Sequence, residues 1–90
     1  MNRLYIIQMG SREIRGLISY SELLDFVVCF EREARLAGAE AKYIGKGSYM
    51  VRREGEEATL TIGKINYSIP GPSVFKAMEM MFNFLNNKKL

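Results

Sequence analysis

Apolar positions dominate the start of the chain. In "RLYIIQM" (residues 3–9), Leu4 and Ile6 fall on one side of an extended segment and Tyr5 and Ile7 on the other. That pattern predicts a strand covered on both faces. "GSR" reads as a turn, and "EIRGLI" (13–18) as the returning arm of a hairpin. The period then lengthens, because Leu23, Leu24, Val27, Phe30, Ala34 and Ala37 recur at helical spacing. Ser19 and Glu22 form an S-x-x-E capping box, Ile18 and Leu23 sit as a hydrophobic staple, and Gly38 supplies a left-handed stop. The spacing predicts a helix over 20–37.

After Gly38 the period returns to two. "AKYIG" (41–45), "YMVRR" (49–53) and "ATLTI" (58–62) read as strands, with 54–57 as the turn between the last two. Past Gly63-Lys64 the parity shifts, and Ile65, Tyr67 and Ile69 continue the alternation, which predicts a bulge or a new short strand. Pro70-Gly71-Pro72 breaks the chain, with Pro72 suited to a first helical turn. Val74, Phe75, Met78, Met81, Phe82 and Leu85 then line one helical face, with Lys76, Glu79, Asn83 and Asn87 opposite. The expected fold is α+β: an antiparallel sheet of three to five strands with two helices packed on one face. Ninety residues make a single domain, 1–90, with an N-terminal strand or hairpin (1–18) joined to a core (19–87).

Composition narrows the chemistry. At 48% hydrophobic and 26% charged the chain is globular. No apolar run reaches the ~18 residues of a membrane span, and no secretion signal is evident, so a cytoplasmic location and no membrane partner are expected. The single cysteine, Cys29, rules out an internal disulfide and reads as helix packing. There is no histidine. The usual general base, the Ser-His and Cys-His pairs and the commonest zinc ligand are thereby excluded. Glu54, Glu56 and Glu57 cluster at a turn and read as solvated; no metal and no cofactor are expected.

Charge is uneven along the chain. Residues 1–40 hold five Lys or Arg against six Asp or Glu, and residues 41–90 hold eight against four. A basic second half hints at an anionic partner, although on charge alone a solvated surface is the favoured reading. Lys42, Lys46, Ser48, Arg52, Arg53 and Lys64 are the candidate RNA-binding residues, since they lie on or beside the expected hairpins. Tyr43, Tyr49 and Tyr67 are the candidates for base stacking. Met80 and Phe84, on the flank of the second helix, are the candidate partner-binding residues, either for another protein or for a homodimer.

The stretch "IGKGSYMVRRE" (44–54) carries the motif question. A Walker loop needs G-x-x-x-x-G-K-[ST] between a strand and a helix, and "GKGS" is too short and precedes a strand. A KH loop needs G-x-x-G, but Ser48 stands three residues after Gly45. From Gly38 onward, however, Lys46-Gly47-Ser48, Arg52, Gly55, Thr59-Leu60-Thr61-Ile62 and Ile69-Pro70-Gly71-Pro72-Ser73 follow in the order of the HicA family's motifs. "SELLDFVV" stands where that family's first helix begins. The chain thus resembles the HicA family of small toxin ribonucleases over about residues 20–85. The resemblance implies the helix-strand-strand-strand-helix order of a double-stranded-RNA-binding domain. It also implies that Tyr49 occupies the position of the family's catalytic histidine. A phenol with an unperturbed pKa near 10 is a poor base at neutral pH, so cleavage chemistry is not expected. The expected function is a non-catalytic HicA-like module, binding RNA or taking part in toxin-antitoxin-type protein association. The competing expectation is a protein-binding inhibitor or adaptor of a phage or other mobile element, with no nucleic-acid role.

Overall fold

The computed structural model of the chain describes residues 2–65 and 69–86. Five strands and two helices follow in the order β1 (Asn2–Met9), β2 (Arg12–Ser19), α1 (Tyr20–Leu36), β3 (Glu40–Gly45), β4 (Ser48–Arg53), β5 (Glu56–Ile65) and α2 (Val74–Asn86). The strands form one open sheet in the order β2-β1-β5-β4-β3, with every pairing antiparallel. This is the expected α+β architecture. From α1 onward it has the helix, three-strand meander and helix of a double-stranded-RNA-binding domain, and the N-terminal hairpin joins through β1 to β5.

Local chemistry accounts for the element ends. Ser19 caps α1: its hydroxyl accepts from the Glu22 amide, and the Glu22 carboxylate accepts from the Ser19 amide. At the other end Gly38 adopts a φ of +68°. The Ala39 amide then reaches the Ala34 carbonyl and the Gly38 amide reaches Arg35, a complete Schellman stop. All three hairpins close with two-residue turns. Lys46-Gly47 and Glu54-Gly55 have both residues at positive φ, the type I′ geometry whose twist matches the flanking strands.

Register fixes which side chains share a face. Tyr5 opposes Gly16 and Ile62, Ile7 opposes Ile14 and Leu60, and Tyr49 opposes Leu60 and Tyr43. These side chains point under the helices, where Phe26, Phe30 and Ala34 of α1 meet Val74, Ala77, Met78, Met81, Phe82 and Leu85 of α2 in one core. Phe30 links the layers, with its ring 5.4 Å from Tyr49 and 6.0 Å from Phe82. Neither α1 nor α2 lies on the opposite sheet face. Leu4 and Ile6 therefore differ from the expectation of two-sided cover. They are half-buried among strand neighbours such as Leu17, whereas Tyr5 and Ile7 are fully buried.

The shift of parity at Gly63-Lys64 is a β-bulge, because Tyr5 pairs with Ile62 and Arg3 with Ile65. The expected continuation through Tyr67, and the placement of Asn87, lie outside the described residues. The second helix starts later than Pro72. Ser73 is its cap, its hydroxyl accepting from the Lys76 amide, and the Pro72 carbonyl is engaged elsewhere. It accepts a 2.5 Å hydrogen bond from the buried Tyr5 phenol. Gly71 lies so close to β2 that a Cβ there would collide with the Arg15 carbonyl. The approach to α2 is thus pinned to the sheet at β2 by Gly71 and at β1 by Pro72.

Candidate functional site

The β3–β4 hairpin answers the glycine question. Tyr43 pairs with Tyr49 and Gly45 with Ser48, leaving Lys46-Gly47 as the turn. Gly47 sits against β5: its carbonyl accepts from the Ile62 amide at 2.9 Å, and a Cβ would strike the Ile62 carbonyl. The Gly47 amide donates to the Tyr43 phenol at 3.0 Å. The glycines serve a tight turn and a close backbone crossing, and the Gly47 N–H is already engaged by a side chain. Lys46 is exposed at the tip with a φ of +54°.

Alternation then disperses the cationic candidates. Lys42 and Arg52 lie on the uncovered sheet face, lining with Glu40, Ile44 and Met50 a shallow pocket of about 210 Å³. Arg52 is held by Glu57, with Nη2 2.8 Å and Nε 3.0 Å from one carboxylate oxygen, and Glu40 stands opposite it on β3. Arg53 points the other way. Its Nε donates to the Ala37 carbonyl at 2.8 Å, tying β4 to the end of α1, and its Nη1 approaches Glu54 at 2.6 Å. Lys64 is exposed in the β5 bulge. Ser48 shares a 3.0 Å hydrogen bond with Thr61 on the uncovered face. The structure brings Lys42, Ser48 and Arg52 to one face, and leaves Lys46 on a turn and Arg53 beneath the helices.

The aromatic candidates take the covered side. Tyr49 packs edge-on against Phe30 and against Tyr43, whose ring centre is 5.1 Å away. The uncovered face accordingly carries no aromatic side chain among the described residues, so it offers no stacking platform. Tyr67 lies outside them. Met80 and Phe84 are half-buried and packed against the core. No group of histidine, cysteine or acidic residues is placed to hold a metal, and no helix is long and apolar enough to cross a membrane, among the described residues.

The outer side of α1 carries what sequence reasoning missed. Tyr20, Leu24 and Val28, spaced by four, are 68%, 73% and 65% exposed, and Tyr43 on β3 is 55% exposed. Beside this stripe a cleft of about 430 Å³ runs between α1 and the sheet, walled by Leu23, Val27, Phe30, Tyr43, Tyr49 and Ile62, with Arg3 in its wall. The signal was present in the sequence as four adjacent-pair apolar positions, Leu23-Leu24 and Val27-Val28, more than one buried stripe requires. The neighbouring strand β3 is the free edge of the sheet, and its residues are exposed up to the half-buried Gly45. No protein-family model, curated protein or solved structure matches this chain.

Proposed function

We propose that this protein is a non-catalytic, HicA-like module that works by protein association, of the toxin-antitoxin or inhibitor type, with a second copy of the chain or a different protein as the partner. The observation that carries this reading is the exposed Tyr20-Leu24-Val28 stripe beside the Tyr43 cleft. Contiguous exposed apolar surface of this kind is the mark of a protein-binding face. Burying those three α1 side chains is worth about 1.5–3 kcal/mol each when fully withdrawn from water. The RNA version has weaker support. Arg52 and Arg53 are engaged by carboxylates, and Lys42 is interleaved with Glu40 on the same strand. Tyr49 is packed between Phe30 and Tyr43, and with no histidine in the chain no imidazole is available to replace it.

A photo-crosslinking residue placed at Val28, in cells expressing the chain from its own genomic context, should yield discrete protein adducts. The same residue at Thr59, on the uncovered sheet face, should yield none. Adducts from Thr59 at equal or greater yield would overturn the assignment of the face. Duplex RNA titrated at two salt concentrations supplies the other arm. A shift that weakens with salt and vanishes in Lys42→Glu/Arg52→Glu would replace protein association with RNA binding.

A further inference from the structure

The sheet has two edges, and they are finished differently. At the β2 edge strand Gly71 packs against the Arg15 and Gly16 backbone, and the next residue, Pro72, is held by the Tyr5 phenol. Among the described residues the β3 edge is bare, and the strand is six residues long and without proline. Bare edges are templates for another strand, and a lysine in mid-edge is the usual deterrent. Here Lys42 stands two residues from Glu40, on the same face of the same strand. That spacing turns the deterrent into a self-complementary code.

We infer that the partner at this surface is a second copy of the chain, its β3 pairing antiparallel with β3 about a two-fold axis at Ala41. This rests on the protein-association reading above. About that axis Glu40 meets Lys42 of the second copy, and Lys42 meets its Glu40. The charges within one subunit already run Glu57, Arg52, Glu40 across β5, β4 and β3. Pairing at Ala41 extends the row with Lys42 of the second copy, so the sign alternates through four strands. An axis at Lys42 would set that lysine against itself. An axis at Tyr43 would set Lys42 against Ile44 and Glu40 against Lys46, which lies in the β3–β4 turn beyond the end of the strand. On the covered side the axis itself brings the two Ala41 methyls together. It lays the exposed Tyr43 ring over Ala39 of the second copy, beside the bare flank of α1. Two subunits joined in this way form a continuous ten-stranded sheet, and an isologous interface of this kind closes on itself.

The code dictates the experiment. By symmetry, Glu40→Lys converts two opposite-charge pairs into two like-charge pairs, and so does Lys42→Glu. Light scattering across a dilution series should find the native chain dimeric. Each single reversal should raise the dissociation constant by about thirtyfold. Mixing the Glu40→Lys chain with the Lys42→Glu chain should recover a mixed dimer, because the two variants complement each other across the axis. The double variant Glu40→Lys/Lys42→Glu should dimerise as the native chain does. Circular dichroism and melting establish that each variant folds, and the mixing and double-variant arms read the interface even if one reversal loosens the Glu40–Arg52 neighbourhood. A native chain monomeric at every concentration, reversals that leave its mass unchanged, or a mixture that stays monomeric would each overturn the inference. The Val28 crosslink separates the two proposals. An adduct of twice the chain mass supports the second copy. An adduct of another mass removes the second copy and leaves protein association standing, and no adduct removes both.

Discussion

Gly16→Ala should destabilise the protein, against the usual effect of replacing a strand glycine. Gly16 is not at positive φ, so the backbone alone would welcome alanine. Restricting the unfolded chain would then contribute about 0.4–1 kcal/mol of stability. Space decides otherwise. A Cβ at Gly16 would lie 2.6 Å from the Tyr5 Oη and 2.7 Å from Cε2 and Cζ of the same ring. The ring cannot swing clear, because Tyr5 is fully buried and its hydroxyl donates to the Pro72 carbonyl. Forcing a methyl into such a site costs about 1–3 kcal/mol, and shifting the ring loses a further hydrogen bond of about 1 kcal/mol. The net expectation is a loss of about 1–3.5 kcal/mol.

Urea unfolding reads this directly. With a slope of about 1 kcal/mol per molar for a chain of this size, the midpoint should fall by about 1–3.5 M. The companion variant Tyr5→Leu removes the obstructing ring, so Gly16→Ala in that background should cost far less than in the native chain. The coupling between the two changes should fall in the range of about 0.5–3 kcal/mol expected for residues in contact. A midpoint that stays put or rises in Gly16→Ala, or additive effects in the double variant, would refute the claim that a Tyr5–Gly16–Pro72 clamp fixes the approach to α2.

Two further expectations follow from single residues. Burial pushes the Tyr5 phenol above its ordinary value, so the folded chain holds that proton when the unfolded chain, titrating near pH 10, has released it. The contribution is fully present below about pH 10 and is lost as pH rises beyond it. Urea midpoints at pH 8 and pH 11 should therefore converge in Tyr5→Phe relative to the native chain, and equal slopes in both proteins would contradict this. Lys46→Asn should stabilise the β3–β4 turn by up to about 1 kcal/mol, because lysine carries a left-handed penalty there that asparagine largely avoids. A melting temperature raised by a few degrees is expected, and a lowered one would mean that Lys46 makes a contact worth more than its strain.

Much of the fold was legible because its signals are local. The Ser19-Glu22 box, the Gly38 stop and the alternation over Ala58–Leu60–Ile62 each depend on neighbours within a few residues, and each is realised. The opposite orientation of Arg52 and Arg53 was legible from the period of a strand. Which of the two is held inside was not, since the Ala37 carbonyl that Arg53 reaches is sixteen residues away. The run Leu4–Ile7 looks the same whether one face or both are covered, so the bare sheet face had to come from the packing of two helices on one side. Pro72 was placed in a helical turn by its fixed φ, but the Ser73 hydroxyl makes a better cap and the Pro72 carbonyl is claimed by Tyr5 from the far end of the chain.

The basic second half shows how a bulk number loses its meaning once folded. Of its cations, Arg52 and Arg53 contact carboxylates, and Lys76 lies 3.1 Å from Glu79. Among the described residues, Lys42, Lys46 and Lys64 remain without an ion pair, and they occupy a sheet face, a turn tip and a bulge. Affinity for a phosphate backbone grows with the number of charges neutralised together, and these three cations stand on different parts of the sheet. The apolar residues are distributed in the opposite sense. Leu24 on α1 and Tyr43 on the edge strand β3 line one cleft, and exposed Tyr20 and Val28 lie one turn to either side of Leu24, so apolar burial and strand hydrogen bonding would be gained in a single docking event. The alternation of Glu40 and Lys42 then selects among the registers that such docking allows, a role for charge in specificity rather than affinity.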